Sequence, residues 1–242
     1  MILRGPHHVC ELTLNGSTII LLGESHSNSN MCDNSESIVG YLDGCNKTHV
    51  YLEMPVKYKT KEPNLVCNYE SKDVLNAVRT CLYMKKVQQK RNNIHFTDIR
   101  PFLGHLLLVK EEPFLKHSQF DAAFFTSKFL NPLLKTHYIE RFLVPKCLEI
   151  WRNCDFIRQM QLAIKKQDSE LCVITYRSAT DKIFELYTIS RIIHYSHLSQ
   201  KHVFYGGSFH TMQILPVLQE LGATLVRAPV LSESISCVSL TE

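Results

Sequence analysis

The chain has 242 residues, 45% of them hydrophobic, and a formal charge of +4. That is enough apolar material for a full core in one domain spanning 1–242, and too little charge to argue for a nucleic-acid partner. Nine cysteines, an odd number with no C-x-x-C pair, speak against a disulfide framework or a structural zinc knuckle and for a reducing compartment.

No apolar stretch approaches the ~20 residues that span a bilayer, and the first six residues do not read as a signal peptide. An intracellular, cytoplasmic protein without a membrane partner is therefore expected. The sequons at Asn15 and Asn46 would then carry no glycan.

The first predicted elements are strands Val9 to Leu14 and Thr18 to Leu22, joined as a hairpin by Asn15-Gly16, the strongest short turn signal in the chain. The second strand runs into Gly23-Glu24-Ser25-His26. Next comes Thr48 to Pro55, where a β-branched and aromatic run stops at a proline just after Glu53. A helix is predicted from about Lys72 to Gln89, with Val74, Leu75, Val78 and Leu82 on one face. The basic cluster from Lys85 to Arg91 closes it, and reads as a solvated helix end or a phosphate-binding patch. The strand Ile94 to Asp98 follows and stops before Pro101, with Asp98 and Arg100 sharing one face.

Residues 102–198 are helical in pattern and read as an insertion between two halves of an α/β core, cap-like over a site. Ile150, Trp151, Cys154 and Ile157 recur at helical spacing, as do Ile183, Leu186, Tyr187 and Ile193. The aromatic stripe Phe124, Phe125, Phe129, Tyr138 and Phe142 is either core or the lining of an apolar pocket. His194 and His197 are either surface histidines or a metal-binding pair. The chain then returns to the sheet with His202 to Tyr205, Gly206-Gly207-Ser208-Phe209-His210, a helix from Ser208 to Leu221 with Gly222 as its stop, and a last strand Thr224 to Arg227 before Pro229. The predicted architecture is α/β, a mixed or mostly parallel sheet flanked by helices.

Two of these strands end in a G-x-x-H step, ending at His26 and at His210. Composition alone gives about half of one such step in a chain of this make-up, and a third, Gly5-Pro6-His7-His8, follows no strand. The two retained steps are set apart by their strands. A glycine at the carboxyl end of a buried strand lets the backbone turn sharply or approach a ligand, and the histidine then opens the next element above the sheet. Glu53 would point to the same edge, as a site carboxylate or as one facing water. Asp98 and Arg100 are open to a structural ion pair or a catalytic role.

The order strand-GESH, strand-LEMP, strand-DIR, helical stretch and strand-GGSFH resembles the superfamily that unites erythromycin esterases, haem-binding ChaN-like proteins, the TraB/PrgY/GumN group and Tiki metalloproteases. The resemblance implies a site of His26, Glu53, Arg100 and His210, with Glu24 matching an acidic position of the esterase branch. Members differ in chemistry, so the fold and site carry over better than the reaction does.

Two routes to hydrolysis of a small-molecule or peptide substrate are compatible with these residues. In one, His26, Glu53 and His210 hold a divalent metal (zinc, manganese or iron) whose bound water has a pKa near ~7, and Arg100 stabilises the oxyanion. In the other, His26 is a general base oriented by Glu24 or Glu53, and His210 assists the leaving group or the oxyanion. The rival reading is a binding protein, for haem or another ligand, or an interaction protein with a silent site. Either hydrolytic route requires His26, Glu53 and His210 within about 8 Å of one another.

Overall fold

The computed structural model describes residues 1–24, 35–55, 74–100, 169–231 and 237–240, with isolated positions at 145–146, 149, 158–159, 162 and 165–166. It divides into two compact units, Met1–Thr97 with Tyr195–Glu242, and Asp98–His194. The fold is α/β, with parallel and antiparallel strands flanked by helices.

In the first unit the strands are β1 (Ile2–Arg4), β2 (His8–Leu14), β3 (Ser17–Glu24), β4 (Glu36–Ser37), β5 (His49–Pro55), β6 (Ile94–Asp98), β7 (Lys201–Gly207), β8 (Thr224–Leu231) and β9 (Cys237–Ser239). The helices are α1 (Ile38–Gly44), α2 (Val74–Gln88) and α4 (Ser208–Glu220), while α3 (Ser169–Tyr195) falls almost wholly in the second unit. Six strands form one sheet in the order β6-β5-β7-β3-β2-β8, and β4-β1-β9 form a small second sheet.

The hairpin forms around Asn15 (φ 52) and Gly16 (φ 81), where two successive positive φ values match the twist of antiparallel strands. β2 pairs antiparallel with β3 and β8, whereas β3 and β5 both pair parallel with β7. The parallel trio therefore brings the carboxyl ends of β3, β7 and β5 to one edge, where Glu24, Gly207 and Glu53 lie.

Side chains alternate along a strand, so register sorts them by face. One face carries Ile20, Leu22, Val50, Leu52, Val203 and Tyr205, which form a single buried cluster with Ile38 and Leu42 of α1 and Val78, Cys81 and Leu82 of α2. Burying an aliphatic side chain of this size stabilises by about 1.5–3 kcal/mol. Helix α1 starts at Ser37, whose hydroxyl accepts from the amide of Val39 at 3.3 Å.

Helix α4 packs against β3 and β7 on the other face. It can do so because Gly23 has no side chain: a Cβ there would lie 2.7 Å from the Ser208 Cα and 2.7 Å from the Thr211 Oγ1. The strand was expected to end at Leu22; it runs on through Gly23 and Glu24 because pairing with Gly206 and Gly207 continues. The last strand likewise continues past Pro229 to Leu231. At the edge of the sheet a missing N–H is tolerated.

In the second unit, residues 183–190 of α3 are all buried, including Ile183, Phe184, Tyr187 and Ile189. A helix covered all round is a core helix rather than a surface one. The rest of the expected insertion, with its aromatic stripe and the Trp151 run, lies outside the described residues apart from isolated positions. His197 is exposed and His194 half-buried. Among the described residues no helix is long and apolar enough to cross a membrane.

Candidate functional site

Glu53 leaves the end of β5 on the face where α4 packs, and both of its oxygens have partners. Oε2 accepts the amide of Gly207 at 2.8 Å, and Oε1 lies 3.5 Å from His210 Nε2. The carboxylate thus sits at the amino end of α4, whose unpaired N–H groups favour negative charge, and faces an imidazole from the first turn of the same helix. Glu53 and His210 are each 6% exposed, so the pair is close to dry and its attraction is stronger than it would be in water.

Gly206 makes the approach possible, since a Cβ there would stand 3.0 Å from Glu53 Oε2. Neither Gly23 nor Gly206 has a positive φ. These glycines admit the protein's own helix and carboxylate, and no special backbone conformation is involved.

Glu24, at the end of β3, lies on the opposite face from Glu53. Its Oε2 accepts the phenol hydroxyl of Tyr205 at 2.6 Å, a short charge-assisted bond. Beside α4, the imidazole of His8 lies 2.8 Å from the Thr211 hydroxyl through Nδ1, while that hydroxyl donates to the Ser208 carbonyl at 2.8 Å. Nδ1 must then carry the proton. Among the described residues the buried Nε2 of His8 has no hydrogen-bond partner, and burial lowers the pKa of the ring.

Arg100 stands in the second unit, where Asp98 and Asp181 hold it. Nε and Nη2 donate to the two Asp98 oxygens at 2.9 and 3.1 Å, and Nη1 donates to Asp181 at 2.8 Å. The guanidinium also lies 4.7 Å from the centre of the Phe184 ring. On the opposite face of the sheet, Nη2 of Arg79 of α2 donates to the main-chain carbonyl of Glu53 at 3.1 Å. His26 and Ser25 lie outside the described residues.

A second polar cluster occupies the amino ends of the same strands. His49 Nδ1 and His95 Nε2 are 2.8 Å apart, and both rings stack on Tyr195 at 4.8 and 4.5 Å. His202 takes the Tyr51 hydroxyl at Nδ1 (3.1 Å) and donates from Nε2 to the Ser199 carbonyl (3.1 Å). Burial, reinforced by His49, pushes the His202 pKa down to about 4 against the Ser199 bond that raises it. The signal was present in the sequence as a histidine followed by an apolar residue at the start of three strands, at His49, His95 and His202.

A divalent metal is one of the outcomes that the resemblance leaves open. Nε2 of His210 and Oε1 of Glu53, 3.5 Å apart, have the spacing of two donors on one tetrahedral ion, for which bonds of about 2.0–2.2 Å imply about 3.4 Å. The donor types fit zinc, manganese or iron. No group of three donors occurs among the described residues.

Compared with family models, curated proteins and solved structures, the chain matches none of them.

Proposed function

We propose that the protein is a hydrolase of ester or peptide bonds whose water is activated at the Glu53–His210 pair. The observation that carries this reading is the geometry of Glu53, a nearly dry carboxylate held by the Gly207 amide and aimed at one imidazole. A fixed carboxylate beside a histidine sets the ring's orientation and stabilises it when it gains a proton, which is what a general base on water needs. Positioned proton transfer of this kind contributes about 10²–10⁴-fold.

Glu53 and His210 would also be the described ligands of a divalent ion, which supplies a lowered water pKa when bound. Gly207 then keeps the carboxylate from rotating, because its N–H holds Oε2 and leaves Oε1 for the site. Tyr205 holds Glu24 on the opposite face, where it braces the strand edge.

The test is a panel of ester and peptide substrates, run on purified protein with and without chelator, alongside elemental analysis. Turnover that Glu53→Gln and His210→Gln each reduce at least ~10-fold supports the reading. Turnover indifferent to both substitutions rejects it, and loss on chelation that added metal restores assigns the ion.

A further inference from the structure

We infer that Thr211, anchored by His8, is a positioning residue for His210: their contact fixes the rotation of the first turn of α4, and with it the distance from the imidazole to Glu53. This rests on reading the Glu53–His210 pair as the hydrolytic site, but the contacts that carry it are separate from that pair.

The amino end of α4 has little to hold it locally. The first turn of a helix lacks intrahelical partners for its N–H groups, and the cap residue, Gly207, makes no side-chain bond to them, unlike Ser37 before α1. Glu53 takes the Gly207 amide. The other hold on this turn is the pairing of Thr211 with His8 of β2. Thr211 Oγ1 donates to the Ser208 carbonyl at 2.8 Å, the backward bond open to a helical threonine. Its lone pairs are left for His8 Nδ1 at 2.8 Å.

His8 stands opposite Gly23 of β3 and is fully buried. Burial lowers its pKa, so near neutral pH the ring has one N–H, and Thr211 accepts it. Among the described residues Nε2 has no partner, so this bond alone orients the ring there. Thr211 is itself fully buried, and Gly23 lies so close that a Cβ on it would stand 2.7 Å from Oγ1.

His210 and Thr211 are consecutive, so they leave the helix about 100° apart and must rotate together. Side chains end about 5–6 Å from a helix axis, so a turn of about 10° moves the imidazole by about 1 Å. Misplacing a reacting group by that much can cost about 10²-fold in rate. The 3.5 Å contact of His210 with Glu53 therefore depends on what stops the rotation, and Thr211 is held against it by a second strand.

The experiment compares wild type with Thr211→Val, Thr211→Ser and His8→Leu, and reads two quantities. One is the separation of His210 Nε2 from Glu53 Oε1 in crystal structures of each protein. The other is kcat and KM for hydrolysis of 4-nitrophenyl acetate. Thr211→Val keeps the shape without the hydroxyl, Thr211→Ser keeps the hydroxyl, and His8→Leu removes the ring's donor while Thr211 can still bond Ser208. The expected result is a separation about 1 Å wider and a kcat at least ~10-fold lower in Thr211→Val and His8→Leu, with KM little changed and Thr211→Ser close to wild type.

An unchanged separation in both variants overturns the inference, whatever happens to the rate, because the contact then serves stability alone. A wider separation with unchanged kcat overturns it as well. If no protein, wild type included, cuts the ester while the separation widens, the positioning stands and the hydrolase reading falls. Thermal melts accompany each variant, and if Thr211→Val does not fold, His8→Leu decides by the same two readings.

Discussion

The His202 ring should make the protein measurably acid-sensitive. It is fully buried, and its two nitrogens are already committed to Tyr51 and Ser199, so a second proton has poor accommodation. Its pKa falls from 6.5 to about 4 on folding. The unfolded chain therefore binds the proton more tightly than the native state, and stability contributed by the neutral ring is complete above pH 6.5 and is lost as pH falls toward 4. Linkage gives a loss of about 1.4 kcal/mol between pH 7.5 and 5.5, and about 2.5 kcal/mol by pH 4.5. Urea unfolding at these three values, on wild type and on His202→Gln, measures it. Glutamine retains one acceptor and one donor but does not titrate, so the variant should lose less stability over that range by about these amounts. Parallel pH curves for the two proteins would refute the assignment of this proton to His202.

Glu53→Gln keeps the Gly207 bond but removes the charge facing His210, and should leave the melting temperature within a few degrees while lowering turnover or metal affinity about 10-fold or more, read by calorimetry and the substrate panel. Gly23→Ala places a methyl 2.7 Å from the backbone of Ser208, and should cost about 1–3 kcal/mol by overpacking, visible in denaturant midpoints. The same change shifts the first turn of α4 away from β3, so kcat should fall with it, and a Gly23→Ala variant of wild-type stability and activity would sink that packing account. Arg100→Gln removes bonds to the buried Asp98 and the partly exposed Asp181 and should cost about 1–2 kcal/mol, measured by urea unfolding.

The hairpin was legible because Asn-Gly names its own turn, and the carboxyl end of α4 because Gly222 (φ 92) provides the left-handed residue that stops it. The small sheet was not, since β1, β4 and β9 are two or three residues each, too short for a period to show. Glu53 and His210 could be picked out as strand-end polar residues, because parallel strands deliver their carboxyl ends to one edge. Their partners could not. The Gly207 amide becomes the acceptor's donor through a strand pairing and a helix start that no local pattern encodes, and Arg79 reaches the Glu53 carbonyl from a helix 26 residues further along the chain.

Two carboxylates at one sheet edge would ordinarily be expected to act together, and alternation along the strands is what separates them. Leu52 stands opposite Tyr205, so Glu53 falls beside Gly206, whereas Glu24 stands opposite Gly207. One step of register puts Glu53 on the α4 face and Glu24 on the face of Leu22 and Tyr205, where the phenol binds it. Among the described residues, a single carboxylate therefore meets His210. A lone carboxylate beside an imidazole attracts a proton onto the ring or shares a cation with it, while a second at the same distance would compete for that cation and raise the first one's affinity for protons. Sheet register thus decides which of two chemically identical side chains faces the His210 imidazole, and the glycines at 23 and 206 decide how closely helix and carboxylate approach the strands.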